Sequence, residues 1–264
     1  MLKRTAAILL ILVFMILPVF AAKHKPHKPQ KHIKPKFVWR QEKNDAFKVG
    51  ERLEFNIRWK FIIVGYAVMS VKNIEKIQGR DCYHIMTEAR SAAFFDNFFK
   101  VRDVNESWID TESLCSLKFR QQLAEGKYRN TETLVFDQEK HEYTVLETKK
   151  TGEIPPWVQD VLSSLYYLRT RNISDGNTVN IDANSGGKSW PLSVRILRKE
   201  EIKVPAGSFK CYVVEPNIRE GAGIFKAKGS LSVWLTDDNK KTPAEMSSEI
   251  AIGSIKADLK SKTE

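Results

Sequence analysis

Residues 155–171 read PPWVQDVLSSLYYLRTR and predict the one convincing amphipathic helix in a sequence that otherwise alternates like β-strands. Apolar residues recur in this stretch at three- and four-residue spacing, which places them on one helix face. They are Val158, Val161, Leu162, Leu165 and Leu168. Two prolines suit the helix start, and Arg169 and Arg171 suit the partially negative end of the helix dipole. We therefore expect this helix to lie on a sheet that the flanking segments supply.

The segments on both sides of the helix predict β-strands. Residues 53–61 alternate between apolar and polar side chains, which indicates a strand with one buried face. The predicted strands are 53–61, 66–71, 74–77, 83–89, 100–108, 117–124, 130–136, 141–148, 179–182, 192–204, 209–215, 226–235 and 245–259. Short turns between strands favour antiparallel neighbours, and roughly a dozen strands in one sheet curl or close. The predicted fold class is mainly β, a strongly curved antiparallel sheet or barrel with one packed α-helix.

The first 22 residues have the layout of a secretory signal peptide. Lys3 and Arg4 precede an apolar run at 6–17, and the small residues Ala21 and Ala22 follow it. The run is too short to span a membrane comfortably, and no cysteine follows it for a lipoprotein anchor. We expect cleavage after Ala21 or Ala22, with an uncleaved anchor as the alternative. No later stretch is expected to cross a bilayer as a helix, so the mature protein would have no transmembrane helix.

Residues 23–36, KHKPHKPQKHIKPK, form a basic Lys/His/Pro tail that we expect to be disordered, because it has almost nothing apolar to bury. Of the formal net charge of +11, the tail carries six and residues 37–264 carry only +3. The tail either contacts an anionic envelope surface or acts as a solvated spacer. Its His24, His27 and His32 have no fixed geometry, so no metal site is predicted. Nucleic acid is not an expected partner of an exported protein. Residues 37–264 are predicted to form a single β-rich domain.

Residues 92–99, AAFFDNFF, interrupt the strand pattern with a dense aromatic cluster around the turn-forming pair Asp96 and Asn97. The phenylalanines either plug one end of the core, which we favour, or form the apolar mouth of a pocket. If a ligand binds, the residues expected to line its site are Phe94, Phe95, Phe98, Phe99 and Tyr166.

The sequence contains no GxSxG, HExxH, Walker or GxGxxG motif, so it predicts no catalytic residue and no cofactor. Within residues 37–264 the histidines are His84 and His141, and no nucleophile lies near either in sequence. Asp237 and Asp238 are most simply explained by a turn in which carboxylates bond nearby backbone amides. The protein is expected not to be an enzyme, and a hydrolase that uses Asp237, Asp238 and His84 is an alternative.

The three cysteines are Cys82, Cys115 and Cys211. In an oxidising compartment one disulfide could form, and Cys82–Cys211 is the first pairing to test because both residues enter a strand from a glycine turn. The favoured alternative is that all three are small buried apolar residues.

Several segments of the chain resemble the exported bacterial domain-of-unknown-function 3108 family, over most of residues 47–259. They are FKVGERL at 47–53, Gly65, DVLSSLYYLR at 160–169, VPAGSF at 204–209, VWLTDD at 233–238, Pro243, and GS at 253–254. The resemblance implies an exported, mostly antiparallel β-protein without an assigned activity, and it transfers no catalytic residue.

These features predict an exported, non-enzymatic protein of the periplasm or envelope of a Gram-negative bacterium. Its curved sheet would shelter an apolar or amphiphilic ligand such as a lipid. The alternative is a cell-envelope scaffold or assembly factor without a small-molecule ligand, which recruits partners through its tail and an exposed sheet edge.

Overall fold

The computed structural model describes residues 37–217, 230–250 and 253–263, so the predictions for 1–22, 23–36 and the start of 226–235 lie outside the described residues. The strands are β1 (Arg52–Trp59), β2 (Ile62–Ile77), β3 (Arg80–Ser91), β4 (Arg102–Asp110), β5 (Ser116–Glu125), β6 (Tyr128–Asp137), β7 (Glu142–Val145), β8 (Thr151–Glu153), β9 (Thr178–Ser185), β10 (Lys188–Val204), β11 (Gly207–Pro216), β12 (Leu231–Thr236), β13 (Pro243–Ile250) and β14 (Gly253–Thr263). The helices are α1 (Ala93–Asp96) and α2 (Val161–Arg169). All fourteen strands join one antiparallel sheet, so the mainly β prediction is confirmed.

The order of strands in the sheet follows the order of the chain with one break. From one edge to the other it runs β9 to β14 and then β1 to β8. The first and last described strands therefore pair at the centre, where Arg52 lies opposite Thr263. The two edge strands, β8 and β9, are consecutive in the chain, and α2 lies in the connection between them.

The core lies on the face of the sheet that packs against α2. In β1, Leu53 and Phe55 are buried and belong to the same apolar cluster as Leu162 and Tyr166 of α2. Glu54 and Asn56 alternate with them and point to the opposite face, as the sequence pattern predicts. No helix among the described residues is long and apolar enough to cross a membrane.

Helix α2 is shorter than the helix predicted over 155–171, because the preceding residues use their backbone to bond two strands. The N–H of Ser116 in β5 donates to the carbonyl of Val158 over 3.1 Å. The N–H of Gln159 donates to the carbonyl of Asp182 in β9 over 2.8 Å. This segment therefore connects β5 with the edge strand β9 before the helix begins.

Asp160 fixes the start of α2 as its N-cap residue. Its Oδ1 accepts from the backbone N–H groups of Leu162 and Ser163, both over 2.8 Å. Its Oδ2 accepts from the hydroxyls of Ser107 in β4 and Ser116 in β5, over 2.6 and 2.5 Å. Burial raises the pKa of Asp160, and these four donors oppose that change. The completely buried carboxyl group thus ties the helix start to the sheet.

Arg169, which is completely buried, fixes the end of α2 through an ion pair with the buried Glu51. Its Nη1 and Nη2 donate to Oε1 and Oε2 of Glu51, over 2.8 and 2.6 Å. Its Nη2 also donates to the carbonyl of Ala46 and its Nε to the carbonyl of Lys240, both over 3.1 Å. Burial alone would lower the pKa of Arg169, but the bonds to Glu51 outweigh burial and raise it. The pair joins α2 to the residues before β1 and to the β12–β13 turn.

The three cysteines are free and buried, so the Cys82–Cys211 pairing is not formed. Cys82 and Cys115 pack in one apolar cluster with Trp108, whereas Cys211 packs in another with Trp234. Burial raises the pKa of each thiol to about 12.

Other predicted boundaries were wrong for local reasons. The predicted strands 66–71 and 74–77 form the single strand β2, whose register shifts between Val71 and Asn73. Conversely, 245–259 divides into β13 and β14, where Ile250 pairs with Gly253. The residues between those strands are Ala251 and Ile252, which carry no turn signal. The predicted turn around Asp96 contains the short helix α1.

We predict that Arg169→Met lowers the free energy of unfolding by about 3–5 kcal/mol, because it leaves the carboxylate of Glu51 buried without its cation. The double variant with Glu51→Leu should lose less than the sum of the two single variants. Urea unfolding followed by circular dichroism measures these differences. Arg195→Met, at an exposed pair with Glu215, is the control and should cost less than about 1 kcal/mol. Additive losses at Arg169 and Glu51 would contradict the coupling.

We also predict that Ellman's reagent labels the folded protein at pH 8 at least about 100-fold more slowly than the urea-unfolded protein, because buried thiols with raised pKa values stay protonated. The raised pKa keeps each thiol neutral until the pH approaches that value. Without reductant, unfolded protein should release three equivalents of the chromophore, one for each of Cys82, Cys115 and Cys211. Release of one equivalent would instead reveal a disulfide.

Candidate functional site

A groove of about 540 Å³ crosses the face of the sheet opposite α2, over β14 and β1 to β4. Cross-strand pairing arranges its side chains in rows. One row contains Glu54, Val68, Glu88 and Val104. The next row contains Tyr66, Arg90 and Arg102. The volume lies within the range of sites that hold small ligands.

Two of the arginines that line the groove are held by carboxylates. Arg52 pairs with Glu54 over 3.0 Å, and the hydrogen bond from Arg52 lowers the pKa of Glu54. Arg102 donates to both carboxylate oxygens of Asp96 in α1, over 3.0 and 2.5 Å. Together with the hydroxyl of Ser91, Arg102 lowers the pKa of Asp96 to about 2. These two cations are therefore already occupied.

Arg90 differs from them. Its guanidinium lies over the ring of Tyr66, 5.1 Å from the ring centroid, and it forms no ion pair with any residue that the structure describes. Arg90 is exposed to solvent. A stacked guanidinium keeps its hydrogen-bond donors free and can bind a carboxylate or phosphate group through two of them. Arg90 is thus the groove's available site for an anion.

The floor of the groove beside Arg90 is partly apolar. Val68 and Val104 are half-buried, and they flank Glu88 in the neighbouring row. The groove therefore offers a cation next to apolar side chains, a combination that suits a molecule with a charged end and an apolar end.

A second cluster surrounds His84 on the same face. Its Nδ1 lies 3.1 Å from Oε1 of Glu75, and its Nε2 lies 3.0 Å from Oε1 of Glu106. The imidazole stacks on Trp108, whose Nε1 donates to Glu75 over 2.7 Å. Both ring nitrogens of His84 therefore contact carboxylates of the protein itself.

The residues of the alternative hydrolase do not form one site. Asp237 pairs with Lys199 over 2.8 Å, and Asp238 accepts from the backbone N–H groups of Lys240 and Lys241, both over 2.9 Å. The prediction of a turn in which carboxylates bond backbone amides is therefore confirmed for Asp238, whereas the carboxylate of Asp237 binds a lysine side chain instead. His84 in β3 lies five strands away from β12, which this turn follows. Within the described part of the chain, no group of three or more His, Cys, Asp or Glu side chains could hold a metal ion.

The structure separates the residues predicted to line a ligand site. Tyr166 is completely buried in the core, in edge contact with Phe47 at 4.8 Å between ring centroids. Phe94, Phe98 and Phe99 are 68%, 75% and 57% exposed at the connection between β3 and β4, and Phe95 is half-buried there. Three of the four phenylalanines therefore do not plug the core, and none is brought together with Tyr166.

Sequence reasoning missed Tyr66 and Arg90 as site residues. Alternation places Glu88 and Arg90 on the polar face of one strand, but it does not reveal which residues of the neighbouring strands lie opposite them. That register decides that Arg90 meets Tyr66 and not a carboxylate.

Several solved structures match this chain, and one of them supports a similar fold. A β-barrel-like protein of the domain of unknown function DUF1849 from Brucella abortus has a TM-score of 0.56 at 9% identity, with 81% of this chain and 97% of that chain covered. A Bacteroides fragilis protein, described provisionally as exported with a YmcC-like fold, has a TM-score of 0.32 at 15% identity, with 86% and 100% covered. A provisional lipoprotein from Parabacteroides distasonis has a TM-score of 0.28 at 8% identity, with 85% and 97% covered.

No curated protein matches the chain. The family model described as "Protein of unknown function (DUF3108)" matches residues 54–260, which is most of the chain and nearly all of its sheet. The protein therefore belongs to the DUF3108 family.

Proposed function

We propose that this protein is an exported, non-enzymatic protein of the cell envelope that binds an amphiphilic ligand with an anionic headgroup. The observation that carries the proposal is the position of Arg90, stacked on Tyr66 and unpaired, in a groove whose floor includes Val68 and Val104. The ligand's headgroup binds Arg90, and its apolar part lies along the two valines.

The headgroup site takes its specificity from the charges around it. Arg52 pairs with Glu54 over 3.0 Å, whereas Lys260 lies 4.0 Å from the same carboxylate, so Glu54 balances one of these two positive charges. Arg102 is likewise balanced by Asp96. Arg90 forms no ion pair with a described residue, so a carboxylate or phosphate that binds it forms a charge-assisted hydrogen bond that replaces only water.

The groove is a better site for the ligand than the concave space expected from the sequence. On that side α2 packs against the sheet, and Tyr166 and Leu162 join a continuous cluster of buried side chains. A ligand there would have to displace the core, whereas the groove on the opposite face is open to solvent.

We propose export because residues 1–22 have the layout of a signal peptide. An exported protein would meet the envelope lipids that the groove is proposed to bind. The basic tail at 23–36 is proposed to add an electrostatic contact with an anionic envelope surface.

The scaffold alternative depends on an exposed sheet edge to which a partner strand can pair. The two described edges expose few free backbone groups for such pairing. Strand β8 is three residues long. Strand β9 is partly covered, because Gln159 forms a parallel bridge with Ala183. Both features limit the addition of a partner strand.

We predict that the protein binds the fluorescent fatty acid 11-(dansylamino)undecanoic acid, and that Arg90→Ala weakens this binding roughly tenfold because one charge-assisted contact is lost. Arg90→Lys should retain part of the affinity, since it keeps the charge and loses the two-point geometry. Fluorescence titration measures each dissociation constant.

The matched control is Arg198→Ala, which removes an exposed arginine outside the groove that pairs with Glu200, and it should leave binding unchanged. Equal affinities of the Arg90→Ala and Arg198→Ala variants would refute the assigned site. Lack of probe binding, together with a lipid-free extract of the purified protein, would refute the function.

A further inference from the structure

We propose that one rim of the sheet is a docking surface for an anionic lipid bilayer. The rim consists of residues 60–63, 92–101 and 125–129, which are the three neighbouring connections after β1, β3 and β5 together with the adjoining strand ends. The inference is independent of the groove, because it depends on a different set of exposed side chains.

Backbone hydrogen bonds hold the three turns together. The N–H of Ala92 donates to the carbonyl of Val64, next to the first turn, over 2.9 Å. The N–H of Gly126 in the third turn donates to the carbonyl of Lys100 in the second, over 2.8 Å. The ring of Phe99 lies so close to Gly126 that a Cβ there would be 2.8 Å from it. The turns thus form one continuous surface.

The apolar residues of this surface are unusually exposed. Phe61 is 84% exposed, and the other exposed large hydrophobic residues of the rim are Ile62, Ile63, Phe94, Phe98, Phe99 and Tyr128. Large apolar side chains that cluster at one end of a protein mark an interaction site rather than scattered surface residues. Their position on hairpin tips allows them to enter an interface without disturbing the sheet.

The exposed charges of the rim are mostly positive, which favours an anionic partner. Lys60, Lys100, Lys127 and Arg129 are all exposed there. The rim's acidic residues are Asp96, which is held by Arg102, and Glu125, which is half-buried. Exposed aromatic and aliphatic side chains surrounded by cations suit the interface of an anionic bilayer. There the apolar side chains enter the acyl region and the cations contact lipid phosphates.

The test is flotation of the protein, expressed from the complete sequence, with vesicles of phosphatidylglycerol and phosphatidylethanolamine or of phosphatidylcholine alone. We expect binding to the anionic vesicles that falls as salt rises. The combined variant Phe61→Ser, Phe94→Ser and Phe98→Ser should lower the partition coefficient at least about tenfold, since each buried phenylalanine is worth about that factor. The control substitutes serine at Val38, Leu146 and Leu197, which are exposed outside the rim, and should bind as the parent does.

A charge-reversal variant of Lys60, Lys100 and Lys127 to Glu should bind anionic vesicles more weakly than the parent, while any contribution of the tail is retained. The control reverses Lys72, Lys188 and Lys203, which are exposed elsewhere, with the same change in net charge. All variants keep residues 23–36, so unchanged binding by both rim variants would assign the membrane contact to the tail and overturn the proposal. Concentration-dependent dimers that the phenylalanine variant abolishes, without vesicle binding by the parent, would assign the rim to a second copy and overturn it as well.

Discussion

The buried guanidinium of Arg169 imposes the strongest constraint on this structure. A charge removed from water must have all its donors satisfied, and here the partners come from three other parts of the chain: Glu51, the carbonyl of Ala46 and the carbonyl of Lys240. Asp160 imposes a similar requirement at the other end of α2, where serines of β4 and β5 complete its hydrogen bonds. Because both ends of the helix are fixed, its position on the sheet is specified by polar contacts as well as by packing.

Because α2 packs on one face of the sheet, that face forms the core. The two proposed binding surfaces therefore lie on the opposite face and on the rim. The two proposed surfaces meet at a single ion pair, because Arg102 lines the groove and Asp96 belongs to α1 in the rim. A shift of α1 would change the charge available in the groove. The contact thus provides a physical route by which events at the rim could influence the groove.

The sequence was informative where a local pattern determines structure. Alternation identified most strands, and apolar spacing with terminal arginines identified α2. It failed where distant residues decide the outcome. In the sequence, Arg169 looks like any cation at a helix end. Only the fold reveals that it is buried and paired with Glu51. The phenylalanines of 92–99 suggested a plug because aromatic residues are usually buried, yet the position of this segment on a rim exposes three of them. Arg90 was missed because strand register cannot be inferred from alternation.

The position of β1 beside β14 has a consequence for how the chain folds. Every other pair of described strands joins neighbours in sequence. The two series of hairpins, β1 to β8 and β9 to β14, can therefore each form from local contacts. Pairing β1 with β14 closes a loop of most of the chain, which carries the largest entropic penalty of any step. We expect the seam between the two series to be the slow, late event of folding. A circular permutant that links these two strands directly would convert it into one more local hairpin.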